Sequence, residues 1–409
     1  TLRFRCVVTA VKLTRDRSAG QITMYSDPVN ALAELSTVYV AQIKGNDTNS
    51  GADQDHAVQT LEKAAELLKT RGDGGTAESN QIILVEDYEY KRTQIWEFME
   101  GRKVPVTIKG IDGTNKIKLI DNYVEDGVNK ETGINLYEDI IFESIELKVA
   151  HLYANGYDIK ICDDVKGNNI YLYGSGQQAL TEQVGKIEVY GGNYARIAGY
   201  VRSSGVVNVE GKEANIIVGG TANVTTVIAG SASGGIENAI VNITVMDEGT
   251  VGTLVGSCQG FSNAYSPYSG TTTINIKGGK VTNIYGAGSG RTTGIPKFLG
   301  DMNINVSGGQ VGNIYGSGSA AYVISTAERI SNINISASGG TIGNIYAAGI
   351  GGDKDVEGGS QNETKPDRIT LPEDFGSLTG TATITISGNA VVTGNIYASG
   401  QGYEAPKYD

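Results

Sequence analysis

The chain has 409 residues, with 33 Lys and Arg against 45 Asp and Glu, a formal net charge of −12, 57 glycines and only 7 prolines. The acidic balance argues against nucleic acid and anionic membranes as partners, because binding there rests on neutralising phosphates with Lys and Arg. Glycine at this level without a G-X-Y period excludes collagen, and no apolar run approaches the roughly 18 residues of a membrane-spanning helix, so no membrane insertion is expected.

In chain order, residues 1–36 come first. Phe4-Arg-Cys-Val-Val-Thr-Ala10 and Ile22-Thr-Met-Tyr-Ser-Asp-Pro28 alternate like two strands. They resemble the last two strands of an immunoglobulin-like module. The resemblance implies a start inside a preceding domain, and a hairpin or linker packed on the next unit is the alternative. Thr1 does not open a signal peptide, so the chain is expected to be a soluble fragment.

Residues 37–80 read as an entry unit: a strand at Val38–Val40, the loop Gly45-Asn-Asp-Thr-Asn-Ser-Gly51, and a helix over 57–69 on which Val58, Leu61, Ala64 or Ala65 and Leu68 share one face. Asp55 is the expected N-cap and Gly72 the expected stop. Ile82-Ile-Leu-Val85 is the following strand. The order of strand, G-N-D-x-N-x-G loop, Thr60-Leu-Glu-Lys-Ala64 helix and strand resembles the N-terminal entry of the pectate-lyase-like superfamily of right-handed parallel β-helices. That likeness covers about 50 residues and implies a helix capping the open end of a solenoid. Gly72–Asn80, a polar insertion, departs from the usual step into the strand.

Residues 81–185 read as irregular coils, and 186–400 as repeated ones. Thr273-Ile-Asn-Ile-Lys-Gly-Gly-Lys-Val-Thr-Asn-Ile-Tyr285-Gly-Ala-Gly288 recurs as Asn303 to Gly318, as Asn332 to Gly349 and as Thr383 to Gly400, and degenerate copies precede these. A recurrent unit with period-2 alternation and β-branched residues predicts stacked strands that close a core only against neighbouring units. The expected fold is therefore all-β, a right-handed parallel β-helix with an N-terminal capping α-helix, over 37–409. Variable segments at Arg291–Gly300, Ser319–Ile330 and Gly351–Ser377 are expected to be loops on one side. The repeated Gly-Asn-Ile-Tyr-Gly units also resemble those of large bacterial surface proteins.

Catalytic residue types are sparse. His56 and His151 have no ligand spacing around them. Cys6, Cys162 and Cys258 lie far apart without C-x-x-C spacing, so neither zinc nor a disulfide framework is expected. In the superfamily this chain resembles, lyases use a basic residue beside calcium-binding carboxylates and hydrolases use clustered aspartates; the outward positions of the regular units here are Asn, Thr, Ser and Lys, not carboxylates. Asp353, Asp355 and Glu357 alternate as weak calcium candidates, with a solvated acidic loop as the competing reading. Asp47, Asn49 and Asp53 carry the same ambiguity, and Arg71-Gly72-Asp73 reads as a turn.

If Ile284, Ile314, Ile345 and Ile396 point inward, alternation places Tyr285, Tyr315, Tyr346 and Tyr397 outside, about 4.8 Å apart from coil to coil. Such a ladder could contact glycan, or its rings could stack on one another; both readings stand at this point. Asn283, Asn313, Asn344 and Asn395 predict a parallel amide ladder. Taken together these features predict a non-catalytic, secreted or cell-surface module, an adhesin or stalk whose partner is a polysaccharide or host glycan. The alternatives are a polysaccharide lyase or glycoside hydrolase, and a self-assembling filament subunit. No cofactor other than calcium is in view.

Overall fold

A computed structural model describes residues 37–71, 80–90, 105–121, 133–175, 185–200, 205–260, 266–290, 296–350 and 376–401, apart from a few single positions and short breaks within these ranges, together with the backbone of short strands between 2 and 31 and between 123 and 130. The chain forms a parallel β-solenoid. Its long sheets carry 14, 11 and 4 strands among the described residues. Among residues 2–31, Val7–Leu13 pairs with Ala19–Tyr25 and Leu2–Phe4 with Val29–Ala31, both antiparallel.

The register explains the sequence repeat. On the 14-stranded sheet, Ile140, Ile159, Ile187, Ile216, Ile243, Ile274, Ile304, Ile335 and Ile384 are successive partners, one per coil. On the 11-stranded sheet the equivalent column runs Ile134, Leu152, Leu172, Ile197, Val227, Leu254, Ile284, Ile314, Ile345, Ile396. Nearly all of these residues are buried in one continuous core. Each coil thus buries apolar side chains only because the next coil supplies the other wall, at about 1.5–3 kcal/mol per buried aliphatic side chain.

Glycine is required where the coils turn. Gly279, Gly309 and Gly340 have φ of +65°, +70° and +76°, and a Cβ on Gly279 would stand 2.1 Å from the carbonyl oxygen of Gly249. A side chain there would be strained by its own backbone and would push the coils apart.

Helix Leu61–Arg71 closes the N-terminal end, with Leu61, Ala64, Ala65 and Leu68 buried in the same core as Val38, Val40, Ile82 and Leu84. It begins later than the sequence pattern predicts. Ala57–Gln59 is taken up by an extended segment in which the Val58 N–H donates to the Tyr39 carbonyl at 3.0 Å and the Val58 carbonyl accepts from Ala41 at 2.9 Å. The cap is consequently Thr60, whose Oγ1 accepts from the Lys63 N–H at 3.1 Å. Asp47 holds that cap, accepting from the N–H groups of Gln59 (2.8 Å) and Thr60 (2.9 Å) and from Thr60 Oγ1 (3.0 Å). Asp53 caps only the short turn Gln54–His56.

Two segments expected as loops contain strand. Pro296–Val306 pairs with Ser266–Ile276 along its whole length, and Phe298 stacks on Tyr268 with ring centroids 5.6 Å apart. Tyr322–Val323 adds to the same row beside Lys297–Phe298. Pro296, Phe298 and Gly300 alternate inward, so period-2 alternation continues upstream of the repeat, where the varying length obscures it. Residues 351–375 lie outside the described part.

Candidate functional site

The outward face of the 11-stranded sheet carries two side-chain columns, both built by strict register. The first runs Tyr153, Tyr173, Ala198, Ile228, Val255, Tyr285, Tyr315, Tyr346, Tyr397. The inward neighbours Ile284, Ile314 and Ile345 are fully buried, which puts the four sequence-predicted tyrosines on the outer side. Tyr315 and Tyr346 stack at 4.8 Å and Tyr346 and Tyr397 at 4.6 Å, while Tyr285 lies 5.4 Å from Tyr315 with its plane tilted by 31°. Both faces of Tyr315 and of Tyr346 are therefore occupied by neighbouring tyrosines. Tyr315 is 6% and Tyr346 8% exposed, against 39% for Tyr397. The Tyr315 hydroxyl donates to Gln401 Oε1 at 3.0 Å. Burial, with Tyr285 and Tyr346 alongside, pushes that hydroxyl up to about 12.

The second column, two residues earlier, runs His151, Tyr171, Arg196, Thr226, Thr253, Asn283, Asn313, Asn344. Its amide part is the predicted ladder: Asn313 Nδ2 donates to Asn283 Oδ1 and Asn344 Nδ2 to Asn313 Oδ1, each at 3.0 Å, and the Asn395 N–H reaches Asn344 Oδ1 at 2.9 Å. Further amide pairs that sequence reasoning did not single out join Asn275 to Asn305 at 3.1 Å and Asn303 to Asn334 at 3.0 Å on the other sheet.

His151 and Tyr171, at the aromatic end of this column, line a groove. His151 stacks on Tyr171 with centroids 5.1 Å apart, and Arg196 lies over the same ring at 5.7 Å. The groove has a volume of about 990 Å³ and runs along the turn between the 4-stranded and 11-stranded sheets, where Glu146, Lys148, Asp163 and Lys166 project beside His151 and Tyr171. No known family, no curated protein and no solved structure matches the chain. The groove's chemistry must therefore be read from its own residues.

Among the described residues no group of three His, Cys, Asp or Glu side chains is placed to hold a metal ion. Asp353, Asp355 and Glu357, together with Gly72 and Asp73, fall outside the described residues. Asp47 and Asn49 serve the entry loop: Asn49 Nδ2 donates to the Ala57 carbonyl at 2.9 Å, while Asp47 holds the helix cap. His56 Nδ1 lies 2.8 Å from Asp53 Oδ1, and this contact holds the Asp53 carboxyl below its usual range. Burial pushes the Cys258 thiol up to about 12 and raises that of Cys162. Neither sulfur is a thiolate nucleophile at neutral pH.

Of the groove residues only Asp163-Asp164 stand out in the sequence, as an acidic pair, while His151 reads as an isolated histidine. The available signal was short: His151-Leu-Tyr153 and Tyr171-Leu-Tyr173 place two outward aromatic rings around one inward leucine in consecutive coils.

Proposed function

We propose that the chain is a non-catalytic extracellular surface module, a β-solenoid stalk or adhesin that engages glycan. The observation carrying this reading is the use to which the repeated outward columns are put. Tyrosine faces are spent on tyrosine faces and asparagine amides on asparagine amides, so these columns tie coil to coil and leave few groups to do chemistry. A lengthwise set of such ties suits a spacer that must resist bending and fraying. Binding to a glycan array, with the same polysaccharides monitored for cleavage products, tests the proposal. Retention without products is expected; release of shortened or unsaturated chains would overturn it.

A further inference from the structure

We infer that the groove beside His151 and Tyr171 is a binding site for a neutral polysaccharide chain. The inference rests on the glycan-binding reading above and assigns it a place and a ligand class.

The shape argues for a chain. The lining residues Asp121, Glu146, Lys166, Asn193 and Thr221 come from five consecutive coils. At about 4.8 Å per coil the groove extends over roughly 19 Å along the solenoid, which suits a short run of sugar units better than a single small molecule.

The chemistry argues for hydroxyls. The walls offer carboxylates that accept, lysine ammonium groups that donate, and the side-chain amides of Asn168 and Asn193, which do both. Lys148, Asp163, Lys166 and Asn168 are exposed, and the Lys148 to Glu146 contact is a loose 4.0 Å. These four groups can therefore turn toward a ligand at little cost, whereas the Asn193 amide is held in place, donating to the Gly167 carbonyl at 3.3 Å and accepting from Asn223 Nδ2 at 3.2 Å. The Tyr171 ring, held between His151 and Arg196, presents an edge rather than a face. Recognition here is then by hydrogen bonds, not by stacking a sugar on a free ring.

The charge argues against polyuronates. Four lining carboxylates, those of Asp121, Glu146, Asp163 and Asp164, face two lysines, Lys148 and Lys166, and the whole chain stands at −12. With neutral histidine the lining sums to 2 − 4 = −2. A polymer with a carboxylate on each sugar would meet like charge along the groove.

Affinity electrophoresis of the full chain through gels containing galactomannan, xyloglucan, dextran or polygalacturonate tests the assignment. The expected result is retardation by at least one of the three neutral polymers, none by polygalacturonate, and at least tenfold weaker retardation for the combined variant Lys148→Ala, Lys166→Ala and Asn168→Ala. All three positions lie outside the core, so the variant should fold, and circular dichroism checks that it does. Retardation by a neutral polymer that the triple variant retains would overturn the groove while leaving the glycan-binding reading intact. Preference for polygalacturonate, or no retardation by any neutral polymer, would overturn the ligand class.

Discussion

The rings of Tyr315 and Tyr346 lie 4.8 Å apart, centroid to centroid, with planes 7° from parallel, although 31 positions separate them in the chain. The register that pairs Ile314 with Ile345 inside also pairs these tyrosines outside. One strand alignment therefore fixes both the core and the outer column.

Tyr315→Ala removes the stack on Tyr346, the tilted ring contact with Tyr285 and the hydrogen bond to Gln401, and leaves a hole in the column. The expected cost is about 3 kcal/mol, from ring contacts of about 0.5–1.5 kcal/mol each plus lost packing. Tyr315→Phe keeps the ring contacts and should cost only about 1 kcal/mol. Denaturation midpoints of the two variants check the order, and equal costs would show that stacking is not what the column contributes.

Asn313→Asp keeps the acceptor used by Asn344 and replaces the donor to Asn283 with a carboxylate facing an oxygen. A loss of about 1–3 kcal/mol is expected, partly relieved at acidic pH where the new carboxyl regains a proton. Thermal unfolding at two pH values checks this, and a variant as stable as the parent at neutral pH would contradict the amide ladder.

Asp47→Ala removes the acceptor of three hydrogen bonds at the start of the capping helix. The helix should lose about 1–2 kcal/mol of local stability while the distant coils keep theirs, because stability in a solenoid is passed between neighbours. Amide hydrogen exchange resolves the two regions. Uniform loss of protection along the chain would count against a local cap.

The buried tyrosines give the fold an alkaline limit. The hydroxyl of Tyr315 is raised from 10.0 to about 12, and those of Tyr285 and Tyr346 are raised in the same direction, burial being the first cause for each. A value raised in the folded state means that the stabilisation is fully present below about pH 10 and is lost as pH climbs through about 12. Phenolate absorbance should therefore show a group of tyrosines that ionise above the exposed ones. A single transition near pH 10 with the fold intact would contradict it.

The solenoid was legible in the sequence because its inward positions repeat: Ile274, Ile304 and Ile335 differ only in the length of the excursion between them. Ladder positions such as Asn283 and Tyr285 followed from the same alternation. Pro296–Gly300 was not legible as strand, since Lys297, Leu299 and Asp301 obey the alternation but lie in a segment whose length varies between units. The helix start was displaced by a tertiary demand, the pairing of Val58 with the first strand, which local capping preference does not encode. The groove was the least visible feature. Glu146, Lys166 and Asn193 become neighbours through coil stacking in the irregular part of the chain, where no exact repeat announces the register.

The most direct test of the central claim, glycan engagement without catalysis, is the mass distribution of a neutral polysaccharide after prolonged incubation with a stoichiometric amount of the protein that retains it. The account predicts a bound polymer of unchanged length with no new chain ends. Progressive shortening that disappears when the protein is heat-denatured would contradict it.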